Sequence, residues 1–221
     1  MRTWAALKSY NRVVADEQRR IIVVAGPPCS GKSYVARILA RRTGIRHLEM
    51  DAIRVRLLPN SRHAKEHRDI AYRAMHLAAQ ILLEMDHSVI VDATYMPAEH
   101  RRELEQVAEV TGSLMFLVEC KVSPSMAVSR FSGRSAHAAV DLTPDRVDWL
   151  ASHYPYSGKG FTYDSSECSE PSMEQICNYL LGGEALRNGE WSKTGFAAGE
   201  ELGDVRPPED FISSGVRQPV G

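Results

Sequence analysis

The sequence predicts an α/β fold: a parallel sheet of about five strands flanked by helices. Three observations predict it. Compact β-branched runs alternate with helical patterns from residue 21 to residue 182, the signature of a doubly wound sheet. Gly26, Asp51 and Asp92 each fall at the end of a predicted strand, and ligands in such sheets bind at the carboxyl ends of the strands. Ser123-Pro124 and Thr143-Pro144 each pair an N-capping hydroxyl with a proline at the first helical position, which marks two helix starts.

The elements follow in order. Residues 3–19 form a short amphipathic pattern with Trp4, Leu7 and Val14 as contacts. Ile21–Ala25 is a buried strand, bounded by Gly-Pro-Pro. Lys32–Arg42 is a helix with Val35, Ile38 and Leu39 on one face, closed by Gly44. Ile45–Met50 is a second strand leading to Asp51. His63–Met85 carries Ile70, Ala74, Leu77, Ala78, Ile81, Leu82 and Met85 at helical spacing. Ser88–Val91 is the third strand, ending in Asp92, and Pro97 opens a helix through Val110 that Gly112 closes. Leu114–Glu119 is the fourth strand, "GFTYDSS" holds a fifth, and 171–182 is the last helix. From about Gly182 the chain turns rich in Gly, Pro and charge, the composition of a weakly ordered tail. Its scattered aromatics leave docking on the body or on a partner open. The organisation is thus a helical extension over 1–20, a domain over 21–183 and a tail over 184–221.

Composition narrows the function classes. Hydrophobic residues are 43% and charged residues 25%, an ordinary globular balance that can build a core. With net charge -1, any site for nucleic acid or another polyanion must be local. Four cysteines lack CxxC or finger spacing, which fits a reduced, cytoplasmic chain. No apolar run approaches the roughly 18–20 residues that span a bilayer.

"GPPCSGKS", Gly26 to Ser33, matches the phosphate-loop pattern G-x-x-x-x-G-K-[ST] between a predicted strand and helix. Each part has a physical reason. Gly26 and Gly31 let the backbone approach phosphate oxygens. After Pro27 and Pro28 in the loop, successive N–H groups around Cys29, Ser30, Gly31 and Lys32 build an anion nest with the helix N-terminus. Lys32 would reach the β- and γ-phosphates of ATP, and Ser33 would offer its hydroxyl to Mg²⁺.

"HLEMDAIR" places Asp51 at a strand end with Arg54 three residues on. A carboxylate there can take a proton from an attacking hydroxyl, and an arginine beside it can hold an anionic acceptor or steady the carboxylate. An N-capping aspartate with a surface arginine explains the same spacing. Asp92 can hold Mg²⁺ or position an acceptor, with the Thr94 hydroxyl just beyond. Arg130 and Arg134, separated by Gly133, fit a flap that closes over a transferring phosphate. Segment 54–73 is locally basic, and His63 and His67 lie four apart without a third placed metal ligand.

With "GPPCSGKS", "DAIR", "VIVDATYMPAEHRREL" and "VSRFSGR" over residues 21–181, the chain resembles the P-loop kinases of the polynucleotide 5′-kinase and zeta-toxin group. The resemblance implies a nucleotide-kinase-like fold with a short helical lid. It also implies in-line transfer of the ATP γ-phosphate to a hydroxyl, with Mg²⁺. Asp51 would be the general base, Arg54 the contact to the acceptor's phosphate, Asp92 a residue facing the acceptor, and Arg130 and Arg134 the lid arginines. The acceptor is expected to be small or nucleotide-like, with a nucleic-acid 5′ end as the alternative. A nucleotide-dependent switch or ATPase working through partners, with the tail as partner arm, is the reading from another class. Ala93 after Asp92 lacks the Asp-Glu of an AAA+ motor, which disfavours the motor form of it.

Overall fold

In a computed structural model, residues 18–59, 65–133, 142–167 and 169–196 are described. Strands β1 (Arg20–Ala25), β2 (Arg46–Glu49), β3 (Val89–Ala93), β4 (Leu114–Lys121) and β5 (Phe161–Asp164) form one sheet in the order β2-β3-β1-β4-β5. Every pairing is parallel. Parallel strands need crossovers, and the helices supply them: α1 (Lys32–Thr43), α2 (Met50–Leu57), α3 (Lys65–Glu84), α4 (Ala98–Thr111), α5 (Pro124–Ser132), α6 (Pro144–Ser152) and α7 (Glu170–Gly182).

The sheet's period of two sorts its side chains into two cores. Ile21, Val23, Val89, Val91, Met115 and Leu117 meet α3 and α4 through Tyr72, Met75, Ala79, Leu83 and Leu104. Ile22, Val24, Ile90, Phe116 and Val118 meet α1 and α7 through Val35, Leu39, Ile176 and Leu180. The helices α5 and α6 pack on each other and on Cys29 of the glycine-rich loop through Ala127, Val147 and Ala151.

The predicted five-strand parallel sheet is the one observed. The caps also stand where the sequence puts them: the Ser123 and Thr143 side chains accept hydrogen bonds from the Met126 and Arg146 N–H groups. At the second strand, Met50 already begins α2, because its side chain turns into the α3–α4 core. Of the expected extension over 1–20, residues 1–17 lie outside the described residues, as do His63 and Arg134.

Within the segment whose composition reads as a weakly ordered tail, residues 184–196 dock on the body, the alternative its aromatics leave open. Leu186 donates its N–H to the Met115 carbonyl at 2.7 Å, and Trp191 is fully buried among the α3–α4 core side chains. The buried Glu105 carboxylate accepts the N–H groups of Trp191 (2.9 Å) and Ser192 (3.2 Å). Phe196 exchanges hydrogen bonds with its neighbours near α4, its carbonyl accepting from Ala98 N–H at 2.8 Å. One large aromatic side chain outweighs a polar local composition here, since burying it removes much apolar area from water. Trp191→Ala is therefore expected to cost about 3–5 kcal/mol, read as a lower urea midpoint with an unchanged denaturant slope.

Candidate functional site

The site is built at the carboxyl edge of three adjacent strands. The Gly26–Ser33 loop follows β1 and turns into α1. Gly26 has φ 151°, and a Cβ there would stand 2.5 Å from the Cys120 carbonyl oxygen and 2.8 Å from Ser30 Oγ. The loop therefore presses against the end of β4 in a way that only glycine allows. Gly31, at φ 87°, precedes α1, and no described side chain caps that helix. Its first N–H groups and the positive end of its dipole are left for an outside anion. Ser30 Oγ is buried without a hydrogen-bond partner. Lys32 Nζ donates to the Pro27 carbonyl at 3.0 Å, folding the lysine over the loop, and Pro28 and Ser33 are half-buried there.

Arg130, in the last turn of α5, reaches this loop. Its guanidinium donates to the Cys29 carbonyl (3.2 Å) and to Ser165 Oγ (2.8 Å) and carbonyl (2.7 Å). It thus ties the loop to the turn after β5. Cys29 itself is left-handed, at φ 61°, a conformation that Arg130 and the packing against Ala127 and Val147 hold in place. Gly133 ends α5, as its position between the two arginines predicts.

Two strands away, Asp51 lies in the first turn of α2, and Arg54 Nε donates to Asp51 Oδ1 at 3.4 Å. Arg54 is only 1% exposed while the Asp51 side chain is 43% exposed. The pair is therefore neither an N-cap nor a surface ion pair: a buried guanidinium underlies an accessible carboxylate.

Asp92 lies on β3, between the other two, opposite Val24 of β1 and Glu49 of β2. It is 2% exposed, and its Oδ2 is 3.5 Å from His47 Nε2. Its register places it on the sheet face that α1 covers, the face of Val24 and Ile90, whereas Tyr95 and Tyr72 line the α3–α4 side.

The turn after β3 is locked by a network that the sequence did not signal. Tyr95 is fully buried at φ 51°, a conformation costing a non-glycine residue about 1–3 kcal/mol. Its N–H donates to Tyr72 Oη (2.8 Å), its carbonyl accepts from Arg101 Nε (2.7 Å), and its Oη lies 3.2 Å from His76 Nε2. Arg101, fully buried, also donates to Thr194 Oγ1 (2.7 Å) and to the Pro155 carbonyl (3.1 Å). The Thr94 carbonyl accepts from Tyr154 Oη at 2.7 Å. Tyr72 stacks on His100 with ring centroids 3.9 Å apart. Glu103 stands 3.3 Å from both His76 Nδ1 and His100 Nδ1. At the end of β4 the fully buried Glu119 accepts the Ser157 N–H with both oxygens, at 3.0 and 3.1 Å. Burial pushes the Glu119 carboxyl up and the His76 imidazole down.

A family model described as "AAA domain" matches residues 21–155. The chain belongs to that AAA-domain family. The match starts in β1 and spans the loop, Asp51, Arg54, Asp92 and Arg130. A curated relative of this AAA-domain chain, "Uncharacterized protein Rv2004c" of Mycobacterium tuberculosis, is 26% identical over 153 residues. That alignment takes in 61% of this chain and 31% of the relative, so the chain spans about a third of the relative's length. Among solved structures, the Mycobacterium tuberculosis APS kinase CysC in complex with AMPPNP and APS is similar at TM-score 0.59 and 21% identity, over 75% of this chain and 99% of that one. A gluconokinase from Sinorhizobium meliloti is similar at TM-score 0.55 and 18% identity, over 76% and 91%. A chain of the Pnkp1/Rnl/Hen1 RNA repair complex is similar at TM-score 0.52 and 14% identity, over 79% and 50%. The fold is the P-loop kinase fold, as the resemblance in the sequence implies. No described helix is long and apolar enough to cross a membrane.

The imidazoles of His76 foremost, and of His100, hold the Glu103 carboxyl down from 4.5 to about 2. A lowered carboxyl stabilises the fold fully above its ordinary value, and that contribution is lost as pH falls through the native value. The stability difference between the native chain and Glu103→Gln is therefore expected to shrink between about pH 4.5 and about pH 2, measured by thermal melts across that range.

Proposed function

We propose that the chain is an ATP- and Mg²⁺-dependent kinase that transfers the γ-phosphate to a hydroxyl of a small-molecule or nucleotide-like acceptor. One observation carries the reading. The Asp51–Arg54 pair, Asp92 and the glycine-rich loop stand at the ends of three neighbouring strands, β2, β3 and β1, with a donor-type loop at one side and an accessible carboxylate at the other.

In this reading the Gly26–Ser33 backbone holds the ATP phosphates, with Lys32 against the β- and γ-phosphates. Asp51 accepts the proton of the acceptor hydroxyl, whose oxygen attacks the γ-phosphorus as the bond to the β–γ bridging oxygen breaks and ADP leaves. Arg54 steadies and aims the Asp51 carboxylate, and Thr94 lines the acceptor side. Arg134 neutralises charge on the transferring group, and Arg130 fixes the loop through the Cys29 carbonyl. Ser33 and Asp92 fit Mg²⁺: both offer oxygen, the ligand this hard cation takes, and Asp92 Oδ2 is buried with no hydrogen-bond partner. When bound, the ion offsets negative charge on the phosphate oxygens.

The acceptor is read as small because the net charge is -1 and the sequence carries no aromatic–basic stripe to track a polynucleotide. A screen of labelled γ-phosphate transfer to nucleosides, nucleotide sugars, aminoglycosides and 5′-hydroxyl oligonucleotides tests the proposal. Asp51→Asn is expected to keep ATP binding and to lose about 10²–10⁴-fold in transfer, while Lys32→Ala loses transfer altogether. Label on oligonucleotides alone would make the chain a polynucleotide kinase. Hydrolysis with no labelled acceptor would favour the nucleotide-dependent switch, and undiminished transfer by Asp51→Asn would remove Asp51 as the base.

A further inference from the structure

His47 and Glu49 alternate on β2, and Glu49 stands opposite Asp92 on β3. Side chains two apart on a strand share a face, as do directly paired residues on neighbouring strands. The register therefore sends all three side chains to the sheet face that α1 covers, at the carboxyl edge. One ligand atom from each, an imidazole nitrogen and two carboxylate oxygens, lies within 4.8 Å of the others.

The two inner atoms are orphans. His47 Nε2 and Asp92 Oδ2 are buried, have no hydrogen-bond partner, and face each other at 3.5 Å. Buried polar atoms left in this way are costly, and a bound ion is one physical way to satisfy them. Their separation suits a shared cation: bonds of about 2.0–2.2 Å at a tetrahedral angle place neighbouring ligand atoms about 3.3–3.6 Å apart. Glu49 is half-buried, so the site opens to solvent on its side.

We propose that His47, Glu49 and Asp92 bind a divalent first-row transition cation, of the Mn²⁺ or Zn²⁺ class, in the absence of nucleotide. The donor set selects the class. Mg²⁺ takes oxygen ligands almost alone, whereas an imidazole beside two carboxylates suits Mn²⁺ and Zn²⁺. Because Asp92 belongs to both donor sets, this cation and the Mg²⁺ that Ser33, Asp92 and a bound nucleotide would hold are alternatives, and the nucleotide-free site does not depend on the kinase reading.

The test uses the full chain, stripped of metal and free of nucleotide. Cys29, Cys120 and Cys177 carry buried thiols, a donor type that Zn²⁺ favours, so Mn²⁺ is the principal probe. It is followed by electron paramagnetic resonance, with Zn²⁺ and Mg²⁺ titrated by calorimetry for comparison. The expected result is one Mn²⁺ per chain with a ¹⁴N coupling from the imidazole, binding retained in Lys32→Ala, and Mg²⁺ bound more weakly. His47→Ala is expected to abolish the nitrogen coupling, and both His47→Ala and Glu49→Gln to weaken Mn²⁺ binding by about 10-fold or more. Circular dichroism melts show that the variants fold. No Mn²⁺ binding by the folded native chain, Mn²⁺ bound without nitrogen coupling, or equal affinity in His47→Ala would overturn the proposal and leave a plain histidine–carboxylate contact.

Discussion

The parallel ladder around β1 is the constraint on which the rest of the molecule depends. β1 is hydrogen-bonded to β3 on one side and to β4 on the other, with Ala25 level with Ala93 and Glu119. Parallel pairing levels the carboxyl ends of neighbouring strands. Residues some 25 to 95 positions apart in the chain, such as those of the glycine-rich loop, Asp51, Asp92 and Glu119, are thereby brought to one edge. No side chain of the site needs to find its partner by itself. Gly26 then closes the arrangement, because its lack of a Cβ lets the loop lie against the end of β4.

The ladder also divides the site by parity. Odd positions of β3 serve the α3–α4 core and even positions serve the α1 side. Asp92 thus shares a face with the helix that carries Lys32 and Ser33, while the turn just beyond it is held from the other face by Tyr72, His76 and Arg101. The two faces are coupled at one short stretch, Asp92 to Tyr95. This stretch is rigid for a local reason: a left-handed tyrosine with its N–H, carbonyl and hydroxyl all engaged.

Much of this was legible in the sequence, and the rest was not for definite reasons. The strands, the glycine-rich loop and the Ser123 and Thr143 caps are local signals, each complete within a few residues. Asp51 and Arg54 are also local, being one helical turn apart, though the burial of Arg54 is not. His47 was invisible because its meaning lies in the register between β2 and β3, whose paired residues stand more than 40 positions apart. Arg101 and Glu105 read as ordinary charges on an amphipathic helix, and their burial depends on a segment some 90 residues later. Trp191 was hidden by its surroundings, since a polar, glycine-rich neighbourhood does not reveal where one aromatic side chain is placed.

The docked segment ending at Phe196 changes what counts as the unit. The family match stops at residue 155, yet β5 completes the sheet, Ser165 accepts the guanidinium of Arg130, and Trp191 fills the α3–α4 core beside Tyr95. A piece of chain cut at the border of the recognisable motif would therefore keep every signature residue and lose the edge strand, a brace of the loop and a wall of the core. Ancestry and foldability draw their boundaries in different places here: the part that can be recognised is smaller than the part that must fold together.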